Sequence, residues 1–180
     1  MKIVVEDTMA VVIDLQEKLF PKMYDKESLL SNCSTLIQGL KTMYIPTLVT
    51  QQYTKGLGDT IDDIKLSLGD FEFTEKMAFS CCGEHDFLTK IKTQRKENVI
   101  LMGIETHVCV MQTALDLIDL GFNPIIIEDC TSSRKSNDKN VAIERLKQEG
   151  AMISTYESIL FELCQTAAAS EFKTISNLVK

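Results

Sequence analysis

The chain lacks tryptophan and has few histidines (two), prolines (three) and glycines (eight) among its 180 residues. Each scarcity excludes something. The two histidines, His85 and His107, stand far apart, and no CxxC or HxxxH spacing occurs, so no structural zinc site is expected. No apolar run approaches the roughly 18 residues that cross a bilayer, so no membrane partner is expected. The opening segment MKIVVEDTMAVVIDLQ turns acidic early and has no charged segment, apolar core and small-residue cleavage site in succession. The expected compartment is the cytosol; a targeting segment lying outside these residues would leave no trace in them.

Positive charge is also in short supply. Nineteen Lys and Arg stand against 26 Asp and Glu, a formal net charge of −7. Phosphate binding needs clustered basic residues. The densest basic run, KIKTQRK (Lys90 to Lys96), reads as the solvated end of a helix, so no nucleic-acid partner is expected. The six cysteines are irregularly spaced, and the adjacent pair Cys81–Cys82 is no metal motif. They read as reduced thiols, most of them packed as small hydrophobes.

Apolar residues are abundant, at 44%. At this length they suit one domain, residues 1–180, with a sizeable core. Ala10 to Leu15 is a β-branched run that ends on Asp14 and Leu15, the pattern of a strand covered on both faces. Leu29, Cys33, Leu36, Ile37, Leu40 and Met43 recur at helical spacing, which predicts a helix over Ser28 to Tyr44. A second strand is expected over Ile45 to Gln52, then a glycine-punctuated loop, TKGLGDT, and a short helix over Ile61 to Leu68. Phe71 to Lys76 alternates as a strand, His85 to Lys92 reads as a helix, and NVILMG (Asn98 to Gly103) is a fourth strand. Thr106 to Leu120 is apolar almost all round and is expected to be a buried helix. A strand over Asn123 to Asp129, a helix over Asp138 to Gln148, a strand AMIST and one or two helices complete the chain. This β-α alternation with short loops predicts an α/β fold. The expected architecture is a three-layer α/β/α sandwich with a six-stranded parallel sheet, Rossmann-like and doubly wound.

Such folds bind ligands beyond the carboxyl ends of the strands. The polar residues at strand ends are Asp14, Gln51, Gln52, Lys76 and the segment ETHVC (Glu105 to Cys109). Cys109 falls in the first turn of a helix, where unpaired N–H groups favour a thiolate and hold a developing oxyanion. Lys76 would lower the thiol pKa further, and Asp14 would accept the thiol proton and return it to a leaving amine. Read singly, each has a plainer role open to it: Cys109 as core, Asp14 as a turn cap, Lys76 as a surface charge.

Four segments resemble the isochorismatase-like cysteine hydrolases. VVIDLQEKLF resembles their hhhDxQxxF opening, and EKMAFSCC their Lys segment. GIETHVCVMQTALDLIDLGF resembles their cysteine motif, and DCTSS the Asp segment after the next strand. The likeness runs in the family's order from Val11 to about Tyr156, and VTQQYTKGLGDT is similar to the small isochorismatase domain-containing proteins.

The resemblance implies a hydrolase with Cys109 as nucleophile, Asp14 as base and Lys76 as supporting cation. It also implies a cis peptide at Ile104–Glu105 that brings the Glu105 N–H to the same oxyanion as the Cys109 N–H. Phe20, Gln51, Tyr53, Ile104 and His107 are the implied substrate contacts; His107 is open to a packing role instead. Nicotinamidases of this superfamily carry a D-x-H…H metal cluster after the second strand. This chain has TQQYTKGLG there, with only Asp59 nearby, so neither metal nor cofactor is expected. True isochorismatases, which cleave a vinyl ether, lack the cysteine; its presence points to a small amide, imide or carbamoyl substrate. The family forms dimers to octamers, so a homo-oligomer is expected. A catalytically silent binding protein and an RNA-associated, ribonuclease-labelled protein are the alternatives.

Overall fold

A computed structural model describes residues 2–180. Its centre is a six-stranded, all-parallel sheet in the order β3-β2-β1-β4-β5-β6. The strands are β1 (Thr8–Ile13), β2 (Thr47–Gln52), β3 (Phe73–Lys76), β4 (Asn98–Ile104), β5 (Asn123–Ser132) and β6 (Met152–Ser154). The described α-helices are α1 (Lys26–Thr42), α2 (Thr54–Leu57), α3 (Asp62–Leu68), α4 (His85–Thr93), α5 (Met111–Asp119), α6 (Ser136–Gln148), α7 (Tyr156–Cys164) and α8 (Phe172–Leu178).

The period of two along each strand sends alternate side chains into two separate cores. Ala10 and Val12 of β1 and Ile100 and Met102 of β4 face α1, α3, α7 and α8, where Leu36, Ile64, Leu160 and Ile175 complete one apolar cluster. Met9, Val11, Ile13, Val99 and Leu101 face the other way, onto Phe87 of α4, Leu117 of α5 and Leu146 of α6. Each layer of helices therefore buries one stripe, and the expected α/β/α sandwich is present.

The structure departs from the sequence reading in four places. The TKGLGDT loop contains the short helix α2. β5 runs on to Ser132, because a register shift lets Thr131 and Ser132 re-pair with Gly103 and Ile104. The Thr106 helix begins as a π-helical turn, Thr106–Val110, before α5. Lastly, α5 is not buried all round: Thr113, Ala114 and Leu117 face the sheet, while Leu115 and Ile118 are half-exposed and Leu120 beyond its end is exposed.

The winding direction reverses between β1 and β4, which pair in register from Thr8↔Asn98 to Ile13↔Gly103. Beyond their carboxyl ends lies the crevice in which such sheets bind ligands. Gly103 permits the close approach of the two strands. Its φ is +124°, and a Cβ there would sit 2.0 Å from the carbonyl oxygen of Ile13.

Candidate active site

Asp14 follows the last residue of β1 in the left-handed region, at φ 51°. An aspartate held there is uncommon and marks a position fixed by its surroundings. The carboxylate is fully buried and accepts a hydrogen bond at Oδ1 from Thr50 Oγ1 at 2.8 Å. Its Oδ2 lies 2.7 Å from Lys76 Nζ. Lys76 is equally buried. Its ammonium donates to Gln52 Oε1 at 2.6 Å, to the Phe79 carbonyl at 3.0 Å and to the Ala78 carbonyl at 3.3 Å. With those donors engaged, Asp14 Oδ2 has the cation beside it but no aligned hydrogen bond.

Pairing places these groups. Gln52 and Lys76 are register partners on β2 and β3, and Gln16 clamps the end of β2 through both of its amide ends. Its Nε2 donates to the Gln52 carbonyl at 2.9 Å, and its Oε1 accepts from the Gln52 N–H at 2.7 Å. Thr50 and Gln52 lie two residues apart and so share a strand face. Gln52 stands among the polar strand-end residues of the sequence but carries no role there; Thr50 and Gln16, the glutamine of the VIDLQ segment, are added by the structure.

Cys109 arrives from β4. The Ile104–Glu105 peptide is cis. Past it, the Glu105 carbonyl accepts from the N–H groups of Val108 (3.1 Å) and Val110 (3.2 Å), passing over that of Cys109. Cys109 is 6% exposed, and the Asp14 carboxylate is close enough for its charge to act on the thiol. Burial, reinforced by the negative Asp14, pushes its thiol up to about 12, and the nearby Lys76 only partly opposes this. The expected lowering of the thiol pKa is therefore corrected: desolvation outweighs the cation. Burial also raises the Asp14 pKa, with Lys76 opposing. For Lys76, burial acts to lower the pKa, but Asp14 and the nearby thiols prevail and keep the ammonium charged. The free site thus holds a protonated thiol beside a carboxylate of raised basicity and a fixed cation. A second buried thiol, Cys81, lies 3.8 Å from Thr50 Oγ1 and is also pushed up to about 12 by burial.

The remaining residues singled out from sequence are placed around this centre. Phe20 is half-buried in a short 3-10 turn against the α1-side core, its N–H donating to Gln16 at 2.9 Å. Tyr53 is exposed with its ring over Gly56, and its N–H donates to the Lys76 carbonyl at 3.0 Å. Gln51 points to the strand face opposite Gln52 and bonds Thr60 Oγ1 and Thr54 Oγ1, each at 3.0 Å. Ile104 is core. His107 bonds Ser133 Oγ through Nδ1 at 2.8 Å and lines an outer groove of about 320 Å³ with Met111, Val141 and Arg145. The Glu105 carboxylate pairs with Arg134 at 3.0 Å. The structure therefore brings Asp14, Lys76 and Cys109 together, whereas the side-chain hydrogen bonds of Gln51 and His107 go elsewhere. Among the described residues, no three His, Cys, Asp or Glu side chains are grouped to hold a metal.

The Isochorismatase domain family model matches residues 8–158, which contain all of these groups. The chain belongs to the isochorismatase family. It is 38% identical to Isochorismatase domain-containing protein 1 of Danio rerio, over 93% of this chain and 59% of that relative. Among solved structures it is similar to the MAR1 ribonuclease of Caenorhabditis elegans, with TM-score 0.93 and 33% identity over 99% of this chain and 92% of that one. The YcaC gene product of Escherichia coli, an octameric hydrolase of unknown specificity, also superposes with TM-score 0.93, covering 99% and 89% of the two chains. At 22% identity that likeness is one of fold. Among the described residues of this isochorismatase-family chain, no helix is long and apolar enough to cross a membrane.

Proposed function

We propose that the protein is a cysteine-dependent hydrolase of a C–N bond in a small amide, imide or carbamoyl compound. The observation that carries this reading is the buried cluster itself: a thiol, a carboxylate with one unaligned oxygen and a fully buried ammonium, at the point where the sheet reverses its winding. A buried ion pair stabilises a fold weakly, so its presence here suits chemistry better than stability.

Cys109 Sγ attacks the substrate carbonyl carbon as its proton passes to Asp14 Oδ2. The raised basicity of Asp14 favours that transfer. The carbonyl oxygen gains the charge and is held by the Cys109 and Glu105 N–H groups, the former left over by the Glu105 carbonyl. The C–N bond then breaks, the amine leaves with the proton from Asp14, and a thioester remains on Cys109. Water adds to the thioester, the C–S bond breaks, and the acid is released with the thiol restored. Lys76 keeps its charge throughout and holds the Asp14 carboxylate in place. Phe20 and Tyr53 are assigned as pocket walls, tied by backbone bonds to Gln16 and Lys76.

Six free, buried cysteines suit a reducing compartment, in keeping with a cytosolic enzyme. The exposed apolar side chains of Tyr53, Met77 and Phe79, on segments flanking Lys76, suit a homo-oligomer. A second reading, RNA cleavage, is favoured by the ribonuclease name of the C. elegans neighbour. The net charge of −7 weighs against it. A panel of small amides, imides and carbamoyl compounds, assayed with wild type and Cys109→Ala side by side, tests the proposal. Cys109-dependent release of amine or ammonia is expected. RNA cleavage that persists in Cys109→Ala, with no amide turned over by wild type, would overturn it.

A further inference from the structure

β5 outruns β6. Their last paired residues are Ile127 and Ser154, so residues 128–132 have no strand on that side. A cavity of about 100 Å³ opens there, between the end of β5, the start of α1 and Lys139 of α6. None of the groups around the Cys109 thiol lines it. Its walls are tied together by the protein itself. The Tyr24 N–H donates to the Ser133 carbonyl at 2.9 Å, and Ser132 Oγ donates to the Tyr24 carbonyl at 2.6 Å. Asn32 Nδ2 donates to the Asp129 carbonyl at 2.9 Å. These bonds stitch the start of α1 to the end of β5, so the cavity is formed before anything enters it.

Charges of both signs face this space. Asp25 and Asp129 bring carboxylates, and the half-buried Lys139 brings an ammonium. Asp25 accepts from Ser28 Oγ at 2.9 Å, and Asp129 Oδ1 accepts from the Tyr156 N–H at 2.9 Å. Neither meets Lys139. Among the described residues that ammonium forms no ion pair. Yet it is near enough for its charge to act on Asp129, whose pKa burial raises. Opposite charges that line one small cavity without pairing leave a gap suited to a ligand that carries both.

We propose that this cavity binds a small α-amino acid as its zwitterion, with the carboxylate on Lys139 and the ammonium on Asp129. The inference stands independently of the C–N hydrolase reading. A simple anion would meet Lys139 but face two carboxylates, and a simple cation would leave Lys139 repelling it. A zwitterion answers both signs at once. The Asn32 Oδ1 is a further acceptor for the ammonium, since its amide nitrogen is already engaged. Leu29 gives the α-carbon an apolar wall. Size sets the class: a cavity of roughly 150 Å³ admits benzene, so this one suits about five or six heavy atoms, as in glycine or alanine.

The test is calorimetric titration of the whole chain with glycine, and with acetate and methylamine, which each carry one of its two charges. Glycine should bind once per chain with a Kd of about 1 mM, and acetate and methylamine at least about tenfold more weakly. At about ten times Kd, glycine should raise Tm by about 4 °C. Lys139→Gln and Asp129→Asn should each weaken glycine about tenfold or more. Asp129→Asn keeps an oxygen for the Tyr156 N–H, so its loss of binding is not a loss of fold, and an unchanged Tm without glycine checks this in both variants. No heat and no Tm shift up to about fifty times that Kd would overturn the inference. So would acetate or methylamine binding as tightly as glycine, or glycine binding unchanged in Lys139→Gln or Asp129→Asn.

Discussion

Residues 9 to 13 and Asp14 are consecutive and equally buried, yet they illustrate opposite uses of burial. Met9 to Ile13, with Val99 to Met102 beside them, form the apolar middle of the sheet. Their removal from water contributes about 25 cal/mol per Å². One residue later the chain turns left-handed and buries a carboxylate against an ammonium. There desolvation offsets most of the electrostatic gain. The middle of the sheet holds the fold together, and under the proposed function its carboxyl edge sacrifices some stability to keep the reacting groups dry and fixed. Substitutions in the two regions should therefore separate stability from activity.

The largest expected effect is on turnover. Cys109→Ala should lower C–N hydrolysis at least a thousandfold, roughly the scale for loss of a nucleophile. Its Tm should stay within a few degrees of wild type, as calorimetry would show. Next in size is Lys76→Met, which leaves the Asp14 carboxylate buried without its cation and should destabilise by about 3–5 kcal/mol in urea titrations. The double variant Asp14→Asn/Lys76→Met should recover much of that loss while remaining inactive. Ile100→Ala, in the apolar middle, should cost a comparable 2–5 kcal/mol, roughly the range for cavity-forming core substitutions. It should leave the rate of the folded fraction near wild type, which is the opposite split.

A smaller effect is expected with pH. Burial holds Cys81, Cys82 and Cys109 as thiols up to about 12, whereas unfolded thiols ionise near 9.0. Since these pKa values are raised on folding, their contribution is fully present below 9.0 and is lost as pH rises through the window to about 12. Each thiol should remove about 1.4 kcal/mol per pH unit in that window. Urea midpoints measured at pH 8, 9.5 and 10.5 should decline accordingly, and less steeply in Cys81→Ala. The smallest effect is at Glu105. Its carboxylate pairs with Arg134, which is largely exposed, so Glu105→Ala should change stability by no more than about 1 kcal/mol. Most activity should survive, because the proposed oxyanion donor is the Glu105 backbone.

The fold was legible because both regions write strong patterns. The β-branched runs of β1 and β4 are continuous, as strands covered on both faces must be, and the α1 stripe keeps its 3.6-residue period. Helix α2 was not, since Thr54 to Leu57 is too short to show a period and contains Gly56. The extension of β5 depends on a register shift with β4, which leaves no local mark. At the site, Asp14, Lys76 and Cys109 stood out as reactive residue types at strand ends. Choosing Gln51 over Gln52 missed the face of β2, because one step along a strand turns a side chain to the other side. The thiol pKa departs from the expectation for a different reason. The charge of Lys76 is visible in the sequence, but the depth of burial that outweighs it belongs to the packed fold.

The central claim, that Asp14 activates a protonated and buried Cys109, is tested most directly by mapping iodoacetamide labelling of all six cysteines in wild type and Asp14→Asn. Cys82 and Cys164 are as accessible as Cys109, at 9% and 7% against 6%, so access alone gives Cys109 no advantage. The account predicts that Cys109 labels about tenfold faster than either near pH 7.5, and that Asp14→Asn removes this lead. Labelling of Cys82 or Cys164 ahead of Cys109 in wild type, or a Cys109 rate unchanged in Asp14→Asn, would contradict it.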